Sequence, residues 1–200
     1  MPGLGADASV NWAVSGGHIA ERCGLFVIIC LGETLLASGA TFAEMAWDGP
    51  GLVAFLASVA GSVAMWWVYF HIGLRPGTQM IEHAKDAGAV ARLSFTYLHI
   101  PIVAGVVLAA VGAERVIAHP GDVATLAEGA SLVGGVILFL LGNGFFKWQS
   151  SDLQFFPLSH MAGIGLGAAV LPAGPFVTQA VQSVLSAAVP VVVGLWETAA

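Results

Sequence analysis

Apolar runs of bilayer-spanning length follow one another along most of this chain. Read by run length, they predict six helices at about 18–45, 51–74, 92–116, 129–148, 157–172 and 175–196. An α-helix needs about 20 apolar residues to cross a hydrocarbon core about 30 Å thick. The fifth run is short and closes on Leu171-Pro172-Ala173-Gly174-Pro175, a helix stop followed by a tight turn. A re-entrant limb is the alternative to a full crossing there. Between the runs, Pro76–Val90 carries Gln79, Glu82, His83, Lys85 and Asp86 and reads as a solvated loop, and Glu114–Glu128 reads as an acidic loop on the opposite side. The pattern predicts an all-α fold: a polytopic integral membrane helix bundle of about six transmembrane helices. Residues 1–17 form a short N-terminal segment and residues 18–200 a single transmembrane domain.

Composition sharpens this picture. The chain is 58% hydrophobic and 9% charged, against about 25% charged in soluble domains, and its mean hydropathy is +0.88. The 26 glycines suit close helix packing in lipid. A net charge of −6 leaves no basic patch for nucleic acid. Cys23 and Cys30 lie about 10 Å apart along one helix, too far for a disulfide, and read as small core residues. Residues 1–17 lack the basic and apolar regions of a cleavable signal peptide.

The basic residues orient the bundle. With six spans, one side carries Arg22, Arg75, Lys85, Arg92 and Lys147, and the other only Arg115. The positive-inside rule then puts both termini in the cytoplasm and the protein in the inner membrane. Trp66, Trp67, Tyr69, Trp148 and Trp196 fall near the cytoplasmic level, where aromatic anchors belong.

The chemistry concentrates in the first span. Glu33 is the tenth of twenty residues, Gly24–Ala43, that carry no other charge. A carboxylate near the bilayer midplane costs about 2.5–3.5 kcal/mol on insertion scales, so it is paired, protonated or used. His18, Glu21 and Arg22 share a face by their i, i+3, i+4 spacing. Arg22 precedes Glu33 by eleven residues, which returns to nearly the same helix direction about 16 Å away. These positions form a candidate polar file from the cytoplasm to the midplane; a structural clamp is the competing reading. Facing residues come from span three, where Arg92, Thr96 and His99 are helically spaced, Tyr97 lies alongside, and Pro101 withholds a hydrogen bond from the Tyr97 carbonyl. His99 reads either as a partner of Glu33 or as a satisfied core histidine. In span six, Gln179, Gln182, Ser183 and Ser186 form a stripe that must face the bundle. Asn143, between Gly142 and Gly144, reads as an interhelical contact or a local break, Gly163 and Gly167 as a packing face, and His71 and His160 as interfacial residues.

No spacing signals a metal site; His18, His71 and His160 are the weak exception, as they could converge from different helices at the cytoplasmic level. Nucleophile motifs, phosphate loops and dinucleotide fingerprints are absent from the sequence. No cofactor is expected, and no residue is assigned as catalytic.

The run from His18 through Glu21-Arg22 and Leu25-Phe26 to Leu31-Gly32-Glu33 resembles the signature of the bacterial low-temperature-requirement protein A family. In that signature a histidine precedes a Glu-Arg pair, and an apolar run then ends in Leu-Gly-Glu. Trp67-Val-Tyr69-Phe70 and Tyr97-Leu-His99-Ile-Pro101-Ile-Val-Ala-Gly105 resemble later blocks in the same order. The resemblance covers most of this chain but only part of the family, whose members are about twice as long with further spans before the His/Glu/Arg block. It implies a carboxy-terminal portion of a longer protein or a naturally short member. The family name records a growth phenotype and no reaction.

Two classes of function follow. The first is proton- or ion-coupled transport centred on Glu33, with Arg22, Glu21 and His18 as a cytoplasmic gate and His99 and Tyr97 as the facing wall. The second is a non-transporting protein, either an assembly or stress-related module or a lipid-modifying enzyme. No paired-carboxylate or nucleophile–base spacing favours the enzyme. The expected partners are the lipid bilayer and either a second copy of the chain or a missing N-terminal half.

Overall fold

The computed structural model describes residues 16–45, 47–72, 92–150 and 154–199. The N-terminal segment before Gly16, the Pro76–Val90 loop, and Arg75 and Lys85 of the charge count lie outside the described residues. Among the described residues there are six α-helices, in order α1 (Gly16–Glu44), α2 (Gly49–Ile72), α3 (His99–Ala118), α4 (Leu126–Ser150), α5 (Leu158–Val170) and α6 (Gln179–Ala199). A π-helical turn, Arg92–Tyr97, leads into α3, and a 3-10 helix, Leu171–Phe176, continues α5. Among the described residues, extended pairing is limited to one isolated bridge, Val123 to Thr178.

The helix starts are written locally. Asp48 accepts the Gly51 N–H at 2.7 Å and caps α2, whose first turn also holds Pro50. Thr125 and Glu128 form a reciprocal capping box at α4: the Thr125 N–H donates to Glu128 at 2.9 Å, and the Glu128 N–H to the Thr125 hydroxyl at 3.3 Å. Pro101 sits in the first turn of α3, where its missing N–H costs little. The expected span at 92–116 is therefore one apolar crossing with a changed helical pitch at its start, where the Leu98 N–H reaches back to the Leu93 carbonyl at 3.1 Å.

Among the described residues, five helices are long and apolar enough to cross a membrane. The remaining helix, α5, approaches that length only with its 3-10 extension. Alone, α5 rises about 20 Å; six more residues at about 2 Å each bring it to about 32 Å. Its ends agree with a complete crossing. The Ser159 hydroxyl donates to Glu197 at the last turn of α6. At the other end, the Gln179 N–H donates to the Asp122 carbonyl at 2.8 Å, tying the turn before α6 to the α3–α4 loop. The lower end of the bundle is thus where α1, α3 and α5 begin and α2, α4 and α6 finish.

Glycine sets the closest contacts. A methyl group at Gly135 on α4 would stand 2.8 Å from the Gly105 carbonyl oxygen of α3, and one at Gly112 would stand 2.5 Å from the Leu132 backbone. These two helices form the most extensive pair in the bundle, followed by α2 with α6. The core runs through their seams, with Tyr69, Ile102, Phe139, Leu140 and Phe146 fully enclosed. In contrast, α1 is the least enclosed of the long helices.

Candidate functional site

Three polar arrangements stand out, and Glu33 belongs to the outermost. Buried positions on α1 are Ala20, Gly24, Val27, Leu31, Thr34, Ser38 and Phe42, so that stripe faces the bundle. Glu33 lies on the opposite side and is exposed, as are His18, Glu21 and Arg22. Its neighbours on the outward face are Phe26, Ile29 and Leu36, the last 70% exposed. Glu33 is therefore a carboxylate near the middle of α1, on a stretch of outer face that from Leu25 to Leu36 is otherwise apolar. No hydrogen bond or ion pair reaches it among the described residues.

Beside it runs a groove of about 1190 Å³ between α1 and α3, lined by Arg22, Phe26 and Ile29 on one wall and Thr96, Ile100 and Val107 on the other. Arg22, Phe26, Ile29 and Glu33 are spaced i, i+4, i+7, i+11, so Glu33 continues the α1 wall by one turn beyond the groove.

His99 forms the second arrangement. It is buried, and Nδ1 lies 2.9 Å from the Ser94 carbonyl while Nε2 lies 2.8 Å from the Tyr69 hydroxyl. The carbonyl can only accept, so Nδ1 carries the proton and Nε2 accepts from Tyr69. Phe95 stacks on the ring and Phe146 meets its edge. The Cys23 thiol donates to the Phe95 carbonyl at 3.2 Å, which fixes His99 near the level of Cys23. That level is ten residues, or about 15 Å, from Glu33 along α1. Tyr97 points outward, 51% exposed. Among the described residues, the structure brings none of Glu33, Arg22, Glu21, His18, His99 and Tyr97 into hydrogen-bond contact with another of the set. It collects four of them on the outer side of α1, and sets His99 at the edge of the core, where it also lines the groove that Arg22 borders.

The third arrangement lies at the lower end. Lys147 in the last turn of α4 forms an ion pair with Glu197 in the last turn of α6. Lys147 is 3% exposed and His160 is fully buried. His160 was expected at the interface; it is at that level, but enclosed by protein. Its Nδ1 lies 3.3 Å from Glu197 and 3.1 Å from the Ser159 hydroxyl. The Asn143 amide nitrogen donates to the Val68 carbonyl at 3.4 Å and approaches His160 Nε2 at 3.3 Å. A carbonyl partner requires the amide nitrogen at that position, so Nε2 accepts and Nδ1 carries the proton. Serine and glutamate thus share one ring nitrogen. A nucleophilic relay needs them on opposite nitrogens, so this cluster is a clamp on three helix ends.

The sequence left Glu197 unremarked and took Lys147 as an interfacial charge. Their separation of fifty residues hides the pair; the single legible signal is that each lies in the final turn of a spanning run. Asn143 does make the interhelical contact expected of it. Among the described residues no three His, Cys, Asp or Glu groups converge as metal ligands; His18 and His71 are exposed while His160 is enclosed.

Length, apolarity and antiparallel helix order define a multi-pass helical membrane protein. The family model for bacterial low temperature requirement A protein (LtrA) matches residues 1–195, and the chain belongs to that family. It is 38% identical over 199 residues to an uncharacterized protein, RA0937, of Rhizobium meliloti (strain 1021). The match covers 98% of this chain and 48% of that relative, so the chain spans about half the relative's length. No solved structure matches it.

Proposed function

We propose that this chain is a module of a proton- or ion-coupled transport protein of the bacterial inner membrane, with Glu33 as the group that takes up the proton or cation. Its transport path runs along the α1–α3 face. Arg22, Glu21 and His18 form the approach from the cytoplasm, Tyr97 and the Thr96 side of the groove the facing wall, and His99 holds that wall in register from behind. Both chain termini lie in the cytoplasm.

One observation carries this reading: an exposed carboxylate near the middle of α1, on an otherwise apolar stretch of its outer face. Facing hydrocarbon, such a group is costly, and intramembrane charges lie against protein or water-filled cavities. Transporter sites also recur near the midplane where two helical halves meet. A chain spanning about half of its relative suits a face that further helices complete. These come from a second copy of the chain or from the N-terminal half of a longer protein.

The test is flux in proteoliposomes of the purified assembly, with proton and cation gradients imposed separately. Glu33→Gln should reduce flux to background while leaving the elution profile unchanged. Unaltered flux refutes the proposal.

A second reading, a non-transporting assembly module, draws on the enclosed Lys147–Glu197 clamp, which binds three helix ends together and opens no path. Under it, Glu33→Gln lowers yield and association of the assembly, and no gradient drives flux through the unmodified protein.

A further inference from the structure

The groove between α1 and α3 has a sorted lining. One end is polar, with Arg22 on the α1 wall and Thr96 on the other. The Cys23 thiol meets the Phe95 carbonyl at 3.2 Å, so these two neighbours stand at one level. Above them the walls are apolar, with Phe26 and Ile29 on α1 and Ile100, Val103, Val107 and Val111 on α3. Two more polar side chains reach the groove with their hydrogen bonds already made: His99 is engaged at both ring nitrogens, and Cys23 donates to Phe95. Among the lining residues, Arg22 is the one that carries a full charge. It is exposed, and no carboxylate pairs with it among the described residues.

Length gives the occupant its shape. Both walls rise from the lower end of the bundle, where α1 and α3 begin. Ile100 to Val111 is eleven residues, an axial rise of about 16 Å. Half of a hydrocarbon core about 30 Å thick is about 15 Å. The apolar part of the groove is therefore as long as one leaflet is deep. Its charged end belongs at the headgroup level, which an arginine near a helix end reaches. A chain laid in this groove touches two helices, where a flat outer surface would meet it from one side, and it gains the added dispersion contacts.

Charge decides among ligands of that shape. A guanidinium grips a phosphate through two parallel N–H donors. A zwitterionic head adds an ammonium group, and no carboxylate lines the groove to receive it. We propose that the groove binds one anionic phospholipid of the leaflet at the lower end, with its phosphate on Arg22 and the Thr96 hydroxyl and an acyl chain along Phe26, Ile29, Val103 and Val107. Glu33 is not among the lining residues, so this site does not depend on flux past that carboxylate. Protein that covers the Glu33 face closes over the lipid and leaves it enclosed.

The experiment is native mass spectrometry of the purified protein, delipidated in detergent and titrated with phosphatidylglycerol or with phosphatidylethanolamine. One phosphatidylglycerol per chain should be retained, about tenfold or more tightly than phosphatidylethanolamine. Arg22→Gln should weaken that binding about tenfold or more and remove the preference between the two lipids. Ala104 is exposed on the α3 wall of the groove; Ala104→Phe fills the space of the chain and should weaken both lipids while the preference stays. Val63→Phe, on the outer side of α2, should change neither and reports on folding. Excess inorganic phosphate should not displace the lipid, because it brings no chain to the groove; displacement by it would make this a site for a free anion and overturn the proposal. Equal retention of the two lipids, or binding undiminished in folded Arg22→Gln, overturns it as well and leaves the lipids a non-specific coat. No lipid retained by monodisperse wild-type protein overturns it equally and leaves the groove to a protein helix.

Discussion

Removing either member of the Lys147–Glu197 pair should cost far more than removing both. Lys147 is almost wholly enclosed, and Glu197 is the single acceptor it meets among the described residues. Glu197→Met leaves an ammonium group with no counter-charge, and breaking a buried pair in this way costs about 3–5 kcal/mol. Lys147→Met is the milder change, because the carboxylate keeps two donors, the Ser159 hydroxyl at 3.0 Å and His160 Nδ1 at 3.3 Å. It should fall near the lower bound, about 3 kcal/mol. In the double variant two methionines fill similar volume with no charge to desolvate. Such replacements are often neutral or stabilising, and Ser159 and His160 still have each other at 3.1 Å. For a chain of this length the single variants should lower the melting temperature by roughly 6–20 °C. The assay is a double-mutant cycle followed by tryptophan fluorescence in detergent, with size-exclusion profiles as a control for assembly. A coupling energy near zero, with the two single losses simply adding in the double variant, refutes the claim that these helix ends are held by a desolvated ion pair.

Other parts of the bundle make separate predictions. Tyr69→Phe keeps the shape of the ring but leaves His99 Nε2 without its donor; it should cost about 1–3 kcal/mol in a denaturant titration. Gly135→Ala should destabilise by about 1–3 kcal/mol or separate α3 from α4, because the new methyl meets backbone atoms that cannot give way. One residue earlier, Gly134→Ala meets nothing within 4 Å and should be neutral or stabilising by up to about 1 kcal/mol. Melting curves of the two glycine variants side by side check the packing of the central helix pair.

The crossings were legible because a bilayer dictates their length. The fifth run was less legible: Pro172 and Pro175 read as a helix stop and a tight turn, whereas the structure continues the chain there as a 3-10 helix. The α6 stripe was legible for a related reason: Gln179, Gln182, Ser183 and Ser186 cannot face hydrocarbon, and all four are buried. The rotation of α1 was not legible. Lipid and protein interior are equally apolar, so nothing in the sequence separates Leu25, Phe26, Ile28 and Ile29, which face outward, from Val27 and Leu31, which face the bundle. Glu33 and Thr34 are adjacent, yet one faces out and the other in. Pairings across distant sequence, such as Tyr69 with His99 and Lys147 with Glu197, depend on which helices become neighbours, and no local spacing encodes that.

Transport along the Glu33 face of α1 requires that protein covers this face in the working assembly. A photo-crosslinking amino acid at position 29, one turn from Glu33, tests it in membranes, with position 63 on the outer side of α2 as the reference; Ile29 is 65% and Val63 52% exposed in the single chain. A protein adduct from position 29 and lipid adducts alone from position 63 are expected. Lipid adducts alone from both positions would contradict such cover.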